Sequence, residues 1–163
     1  MIVPVPEAEP AVGAIRLAHD GSAALGVPAH VTILFPFAPP DEVDVAALAA
    51  LFARFRAFDF ALDRVERFED GLVWLAPRPS LPFADLTAAV WQRWPGYPPY
   101  EGVHDEVVPH LTVGHASGDA GLDAAEVEIR TRLPVSGRAE HLTVMTEDDT
   151  GRWSVLRRVP LDL

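Results

Sequence analysis

The chain contains no cysteine. That removes disulfides, a thiolate nucleophile and cysteine-held zinc together, so a stapled secreted scaffold and a cysteine hydrolase are both excluded. Lysine is absent as well, and all 13 basic residues are arginine. A P-loop, a Schiff-base enzyme and an ATP-driven ligase that charges a lysine are therefore excluded too. Any joining reaction has to be the reverse of a cyclic-phosphate or phosphodiester cleavage. No apolar run approaches the roughly eighteen residues that cross a bilayer, and Met1-Ile2-Val3-Pro4 lacks a basic signal head, so a soluble, cytoplasmic protein with no membrane partner is expected. Positive charge is scarce against 24 acidic residues, giving a formal net charge of −11. A polyanion-tracking protein draws its affinity from neutralised phosphates, so no long nucleic acid is expected here; a mononucleotide or a short RNA end fits better.

What is present fits one domain, residues 1–163, of ordinary size and 49% hydrophobic, expected to be a monomer. Two stretches stand out, His30-Val31-Thr32-Ile33 and His110-Leu111-Thr112-Val113. Each alternates polar and apolar residues with the period of a strand, which puts imidazole and hydroxyl on one face and the apolar residues on the other. At about 3.3 Å per residue the two polar groups are roughly 7 Å apart, close enough to grip opposite edges of one small anion. Two such strands side by side supply what phosphoester chemistry needs without a metal. One histidine takes a proton from the attacking oxygen, the other gives one to the leaving oxygen, and Thr32 and Thr112 hold the non-bridging oxygens. Imidazole suits both roles because its ordinary pKa of about 6.5 lets one copy be neutral and the other charged.

The two motifs in context, Gly26-Val27-Pro28-Ala29-His30-Val31-Thr32 with Pro36-Phe37, and Pro109-His110-Leu111-Thr112-Val113, resemble the two-histidine (2H) phosphoesterase superfamily. Within it the likeness is to the bacterial 2′-5′ RNA ligase and cyclic phosphodiesterase branch, and it covers nearly the whole chain. The resemblance implies an α+β, bilobal fold of two mostly antiparallel sheets with helices outside and a central cleft. It implies action on a 2′,3′-cyclic phosphate or a 2′-5′ phosphodiester, with His30 and His110 as general acid and base and no cofactor. Which histidine plays which part is left open.

The rest of the chain is read around these motifs. Helices are expected from Pro10 to His19, from Asp44 to about Arg56, from Pro82 to about Trp94 and from Asp119 to about Arg132, the last with Leu122, Val127 and Ile129 inward. Strands are expected over 30–37, over 58–62 and 65–68 as one strand or a bent pair, and over 72–75 and 110–115, with a turn at Asp70-Gly71 and a final hairpin of 135–145 with 152–161. Trp74 reads as core; Phe35 and Phe37 continue the face of Ile33 and read as buried by default, with stacking on a base the lesser alternative. Arg16, just upstream of the first motif, could reach a phosphate, although a solvated helix arginine is the plainer reading. The long irregular stretch 95–108 leads into His110 and carries Tyr97 and Tyr100, which could flank a nucleobase or simply anchor the loop.

One repeat complicates the choice of pair. His141-Leu142-Thr143-Val144 copies the second motif letter for letter. Its placement well inside an expected strand, where His30 and His110 open theirs, reads as structural. Other function classes stay open beside the enzyme: a non-catalytic nucleotide- or phosphate-binding module, and a purely structural protein. A metallohydrolase would need a closely spaced His/Asp/Glu ligand set, which the sequence does not offer.

Overall fold

The computed structural model of the chain describes residues 1–103, 107–115 and 120–162. The chain opens with β1 (Ile2–Pro4), helix α1 (Glu9–His19), a four-residue helix α2 (Gly21–Ala24) and β2 (His30–Thr32). Helix α3 (Val45–Phe52), strands β3 (Phe58–Arg67) and β4 (Leu72–Arg78) and helix α4 (Leu81–Arg93) follow. After β5 (Leu111–His115) and α5 (Ala120–Arg130) come β6 (Val135–Ala139), β7 (His141–Glu147) and β8 (Trp153–Pro160). These strands form two four-stranded sheets, ordered β2-β1-β7-β8 and β5-β4-β3-β6, and every strand pairing within them is antiparallel.

Local chemistry sets the boundaries. Asp44 caps α3 by accepting from the Ala47 N–H at 2.9 Å, and Pro10 and Pro82 sit in the first turns of α1 and α4, where a missing N–H costs nothing. Gly71 takes the positive φ of the β3–β4 turn, +88°, as the Asp70-Gly71 pair predicts. One apolar cluster draws on both sheets: Val3, Val31, Leu142 and Val144 from the first, Phe60, Leu75, Leu111 and Val113 from the second. Helices close over it through Val12, Leu48, Phe52, Phe83, Leu86 and Val90. Each fully buried side chain of this size contributes about 1.5–3 kcal/mol relative to exposure.

Several expectations are corrected. The first motif strand is only three residues long, because the Ile33 and Leu34 amides both turn back to the Met1 carbonyl, at 2.9 and 3.2 Å. Phe35 therefore leaves the core face and is 48% exposed, while Phe37 packs against Trp94 and Tyr97. The expected strand 135–145 is two strands in different sheets, split at Glu140. His141 therefore opens β7 and does not lie inside a strand as expected. On α5, Leu122 and Ile129 are buried but Val127 is 66% exposed, since one turn cannot bury residues on opposite sides of a short helix. The expected start at Asp119 lies outside the described residues. No helix among the described residues is long and apolar enough to cross a membrane.

Candidate active site

Both motif strands are edge strands, β2 of the first sheet and β5 of the second, and the two edges meet, with residues of β2 within 8 Å of residues of β5, Cα to Cα. Their alternation holds as expected. Val31, Ile33, Leu111 and Val113 are buried, whereas His30, Thr32, His110 and Thr112 are half-buried on the opposite face.

The approach to His30 is built by the residues around it. Gly26 is left-handed, φ +101°, and a Cβ there would lie 2.8 Å from the Trp153 carbonyl oxygen, so only glycine fits both the angle and the space. The Ala29 amide donates to Glu9 Oε1 at 2.7 Å, and its carbonyl accepts from Val5 at 2.8 Å. His30 Nδ1 lies 2.7 Å from the Pro28 carbonyl. A carbonyl only accepts, so Nδ1 carries the hydrogen, and in the neutral ring Nε2 is left as an acceptor. Nε2 faces the Thr32 hydroxyl at 3.1 Å.

The second motif is anchored in the same manner. His110 Nδ1 lies 2.7 Å from the Val108 carbonyl, again two residues upstream, which presents Nε2 outward. Behind the ring stand Phe68 and Trp74, edge-on at 5.2 and 5.9 Å between centroids and stacked on each other at 4.8 Å. Trp74 is paired with Thr112 across β4 and β5, so its indole lies on the same face as the motif. Its indole N–H is buried without a partner among the described residues.

Electrostatics separate the first histidine from ordinary imidazole behaviour. Burial pushes the His30 pKa down from 6.5 to about 4, and the Arg16 guanidinium adds to the effect. The hydrogen bond to Pro28 and the Asp20 carboxylate oppose it without reversing it. His30 is therefore neutral at pH 7.

Arg16 is not the solvated arginine of the plainer reading: it is 2% exposed. Its guanidinium donates to Asp20 Oδ2 at 2.8 and 3.2 Å, to the Val27 carbonyl at 3.3 Å and to Ser22 Oγ at 3.4 Å. It acts on the site by holding the 20–27 segment against His30 rather than by lining the open space.

That space is a cavity of about 240 Å³. Its polar wall includes His30, Thr32 and Tyr100; its apolar wall includes Phe35, Met145 and Trp153, with Phe35 and Trp153 edge to face at 6.1 Å. The Tyr100 hydroxyl is hydrogen-bonded to Thr32, and burial raises its pKa. Tyr100 and Glu101 are held in the left-handed region, φ 49° and 57°, while the Tyr100 amide donates to the Phe35 carbonyl at 2.6 Å. Two adjacent non-glycine residues there mark a strained segment clamped over the cavity. Tyr97 is placed elsewhere: it packs on Phe37, and its hydroxyl donates to Glu42 Oε2 at 3.3 Å.

Phe35 takes the lesser of its two readings, a place in the cavity wall, while Met145 and Trp153 were not among the residues singled out from sequence. Trp153 faces Glu147 across the β7–β8 hairpin, two residues beyond Met145, and that parity was the available signal. His115 is exposed at the far end of β5; the bulge opposite Val73 and Trp74 puts it, paired with Leu72, on the face of Thr112 despite its opposite parity in sequence, and it stands 3.8 Å from Asp70. Among the described residues no group of three or more His, Asp and Glu side chains is placed to hold a metal ion.

The model of the 2′-5′ RNA ligase superfamily matches residues 4–151. The chain belongs to that superfamily. Three solved structures share the fold over nearly the whole of this chain. E. coli LigT in complex with 3′-AMP is 18% identical, with TM-score 0.63, over 99% of this chain and 96% of that one. A crystal structure described as a phosphoesterase is 17% identical, with TM-score 0.61, over 99% and 96%. E. coli LigT in its apo form is 20% identical, with TM-score 0.61, over 99% and 95%. No curated protein matches the chain.

Proposed function

We propose that this superfamily member is a metal-independent phosphoesterase that opens a 2′,3′-cyclic phosphate, or cleaves a 2′-5′ phosphodiester, of a nucleotide or short RNA end. The observation that carries the reading is the meeting of two edge strands, each presenting a histidine anchored through Nδ1 with a threonine on the same face. The cavity beside His30 and Thr32 supports the substrate class, since Phe35, Tyr100 and Trp153 offer aromatic surface to a base. So does the 3′-AMP bound by the E. coli relative.

In this reading water attacks the phosphorus, and neutral His30 takes its proton on Nε2. The bond from phosphorus to one ribose oxygen breaks, and His110, protonated on Nε2, gives that oxygen its proton. Thr32 and Thr112 donate to the non-bridging oxygens as charge grows there. Its lowered pKa leaves His30 without a proton to give near pH 7, which favours His110 as the acid and His30 as the acceptor. With a 5′-hydroxyl in place of water as the nucleophile, the same transfers open a cyclic phosphate onto that oxygen and join two ends without ATP.

The test is turnover of the four nucleoside 2′,3′-cyclic phosphates in EDTA by wild type, His30→Ala, His110→Ala and His141→Ala. Wild-type turnover that falls about 10²–10⁴-fold in the first two variants only is expected of an acid–base pair. A wild type that binds the nucleotides without turning them over would make the chain a binding module instead.

A further inference from the structure

The third copy of the motif, His141-Leu142-Thr143, has no part in the reading above, yet it lies on the same sheet face as the first. β2 and β7 both run antiparallel to β1, which lies between them, so they are parallel to each other. Ile2 is paired with Thr32 on one side and with Thr143 on the other, and directly opposed residues project from one face of a sheet. The period of two then carries His141 onto the face of His30. This face therefore bears two His-x-Thr pairs in the same orientation, two strand spacings or about 10 Å apart.

Two further observations give the second pair a charge and an open valence. Thr143 is paired across β7 and β8 with Arg158, which extends the row to the edge of the sheet. Arg158 is exposed and makes no ion pair among the described residues, whereas seven of the 13 arginines are held by carboxylates. Thr143 is 3% exposed, and its buried hydroxyl has no hydrogen-bond partner among the described residues. Ile2 and Met145, which flank Thr143 on its own face, line the cavity beside His30.

We propose that His141, Thr143 and Arg158 form a second anion subsite, which takes a second phosphate of the substrate whose first phosphate lies between His30 and His110. The inference rests on the phosphoesterase reading and deepens it. It selects substrates with two phosphates on one ribose unit or on neighbouring units, a nucleoside bisphosphate or a short RNA end, over a nucleoside with a lone cyclic phosphate.

The experiment is calorimetric titration of adenosine 3′-monophosphate, adenosine 3′,5′-bisphosphate and a dinucleotide 3′-phosphate into wild type, Arg158→Ala, His141→Gln and Arg157→Ala. Arg157 opposes Val144, on the other face of the sheet, so it shares the edge of β8 but not the subsite. Wild type is expected to prefer a second phosphate roughly tenfold, the worth of one charge-assisted contact. Arg158→Ala should reduce that preference to within about twofold and His141→Gln should weaken it, while Arg157→Ala leaves it intact. The bisphosphate and dinucleotide arms separate the two sources of the second phosphate. If the monophosphate binds but a second phosphate adds nothing, or Arg158→Ala keeps the preference, the subsite is overturned and the catalytic reading stands. If the monophosphate does not bind at all, both fall.

Discussion

Replacing Arg16 by methionine perturbs the fold and the candidate base together. The guanidinium is 2% exposed and its partner Asp20 11%, so removing one charge strands the other in a poorly hydrated place. Breaking a buried pair costs 3–5 kcal/mol; because Asp20 keeps its bonds from the Ser22 amide and hydroxyl, a loss of about 3 kcal/mol is expected. In urea denaturation that lowers the midpoint by roughly 1–2 M. The second effect is on His30. With the nearby positive charge gone and Asp20 unbalanced, its pKa rises from about 4 toward the ordinary value, without reaching it because burial, the largest cause, is unchanged.

The readout is the acid limb of kcat/KM for 2′,3′-cyclic AMP. At pH 5 a base of pKa near 4 is about 90% neutral, and a rise of one unit takes that to about 50%. A midpoint within 0.3 M of wild type (roughly the resolution of the method), together with an unmoved limb, would refute the coupling of Arg16 to His30. The wild-type protein carries a related signature. The folded state keeps His30 neutral down to about pH 4, while the unfolded chain protonates it near 6.5, so the unfolded state binds more protons in that window. Stability is therefore full above pH 6.5 and falls as pH drops toward 4, by at most about 3 kcal/mol from this group.

Other predictions follow from single contacts. Tyr100→Phe removes the phenolic partner of Thr32 and should raise KM for a cyclic nucleotide several-fold, while Tyr97→Phe should leave it unchanged. The opposite result would place the substrate away from the cavity. Gly114→Ala would set a Cβ 2.6 Å from His19 Cβ and 3.1 Å from the His19 carbonyl oxygen, forcing α1 off β5; about 1–3 kcal/mol of stability should be lost, and a neutral substitution would show that contact to be loose. Phe83→Ala empties the centre of the Phe58, Phe60 and Phe83 cluster, with centroids 5.0 and 5.1 Å away, and should cost about 3–5 kcal/mol by denaturation.

The sequence exposed the parts of the site that obey strand parity. His30 with Thr32, and His110 with Thr112, share a face because alternation within three residues is local and needs no knowledge of the partner strand. The likeness to the two-histidine family added the sheet arrangement, which no local pattern contains. What stayed hidden depends on long-range pairing. Phe35 reads as core by parity with Ile33, but β2 ends where the Met1 carbonyl captures two amides, and the ring swings into the cavity. Arg16 reads as solvated because composition favours it, while its burial follows from Asp20, Ser22 and Val27 folding back around it. The split at Glu140 between β6 and β7 was unreadable because the chain crosses from one sheet to the other without a glycine or proline to mark it. That crossing sets His141 beside β1 on the face of His30.

Whether two histidines from two sheets serve one phosphate is read from histidine-labelled ¹H–¹⁵N spectra through a titration with 3′-AMP. The imidazole signals of His30 and His110 are expected to shift together along one binding isotherm while His115 stays still. Movement of only one of the pair, or movement of the two with different affinities, would contradict a shared phosphate.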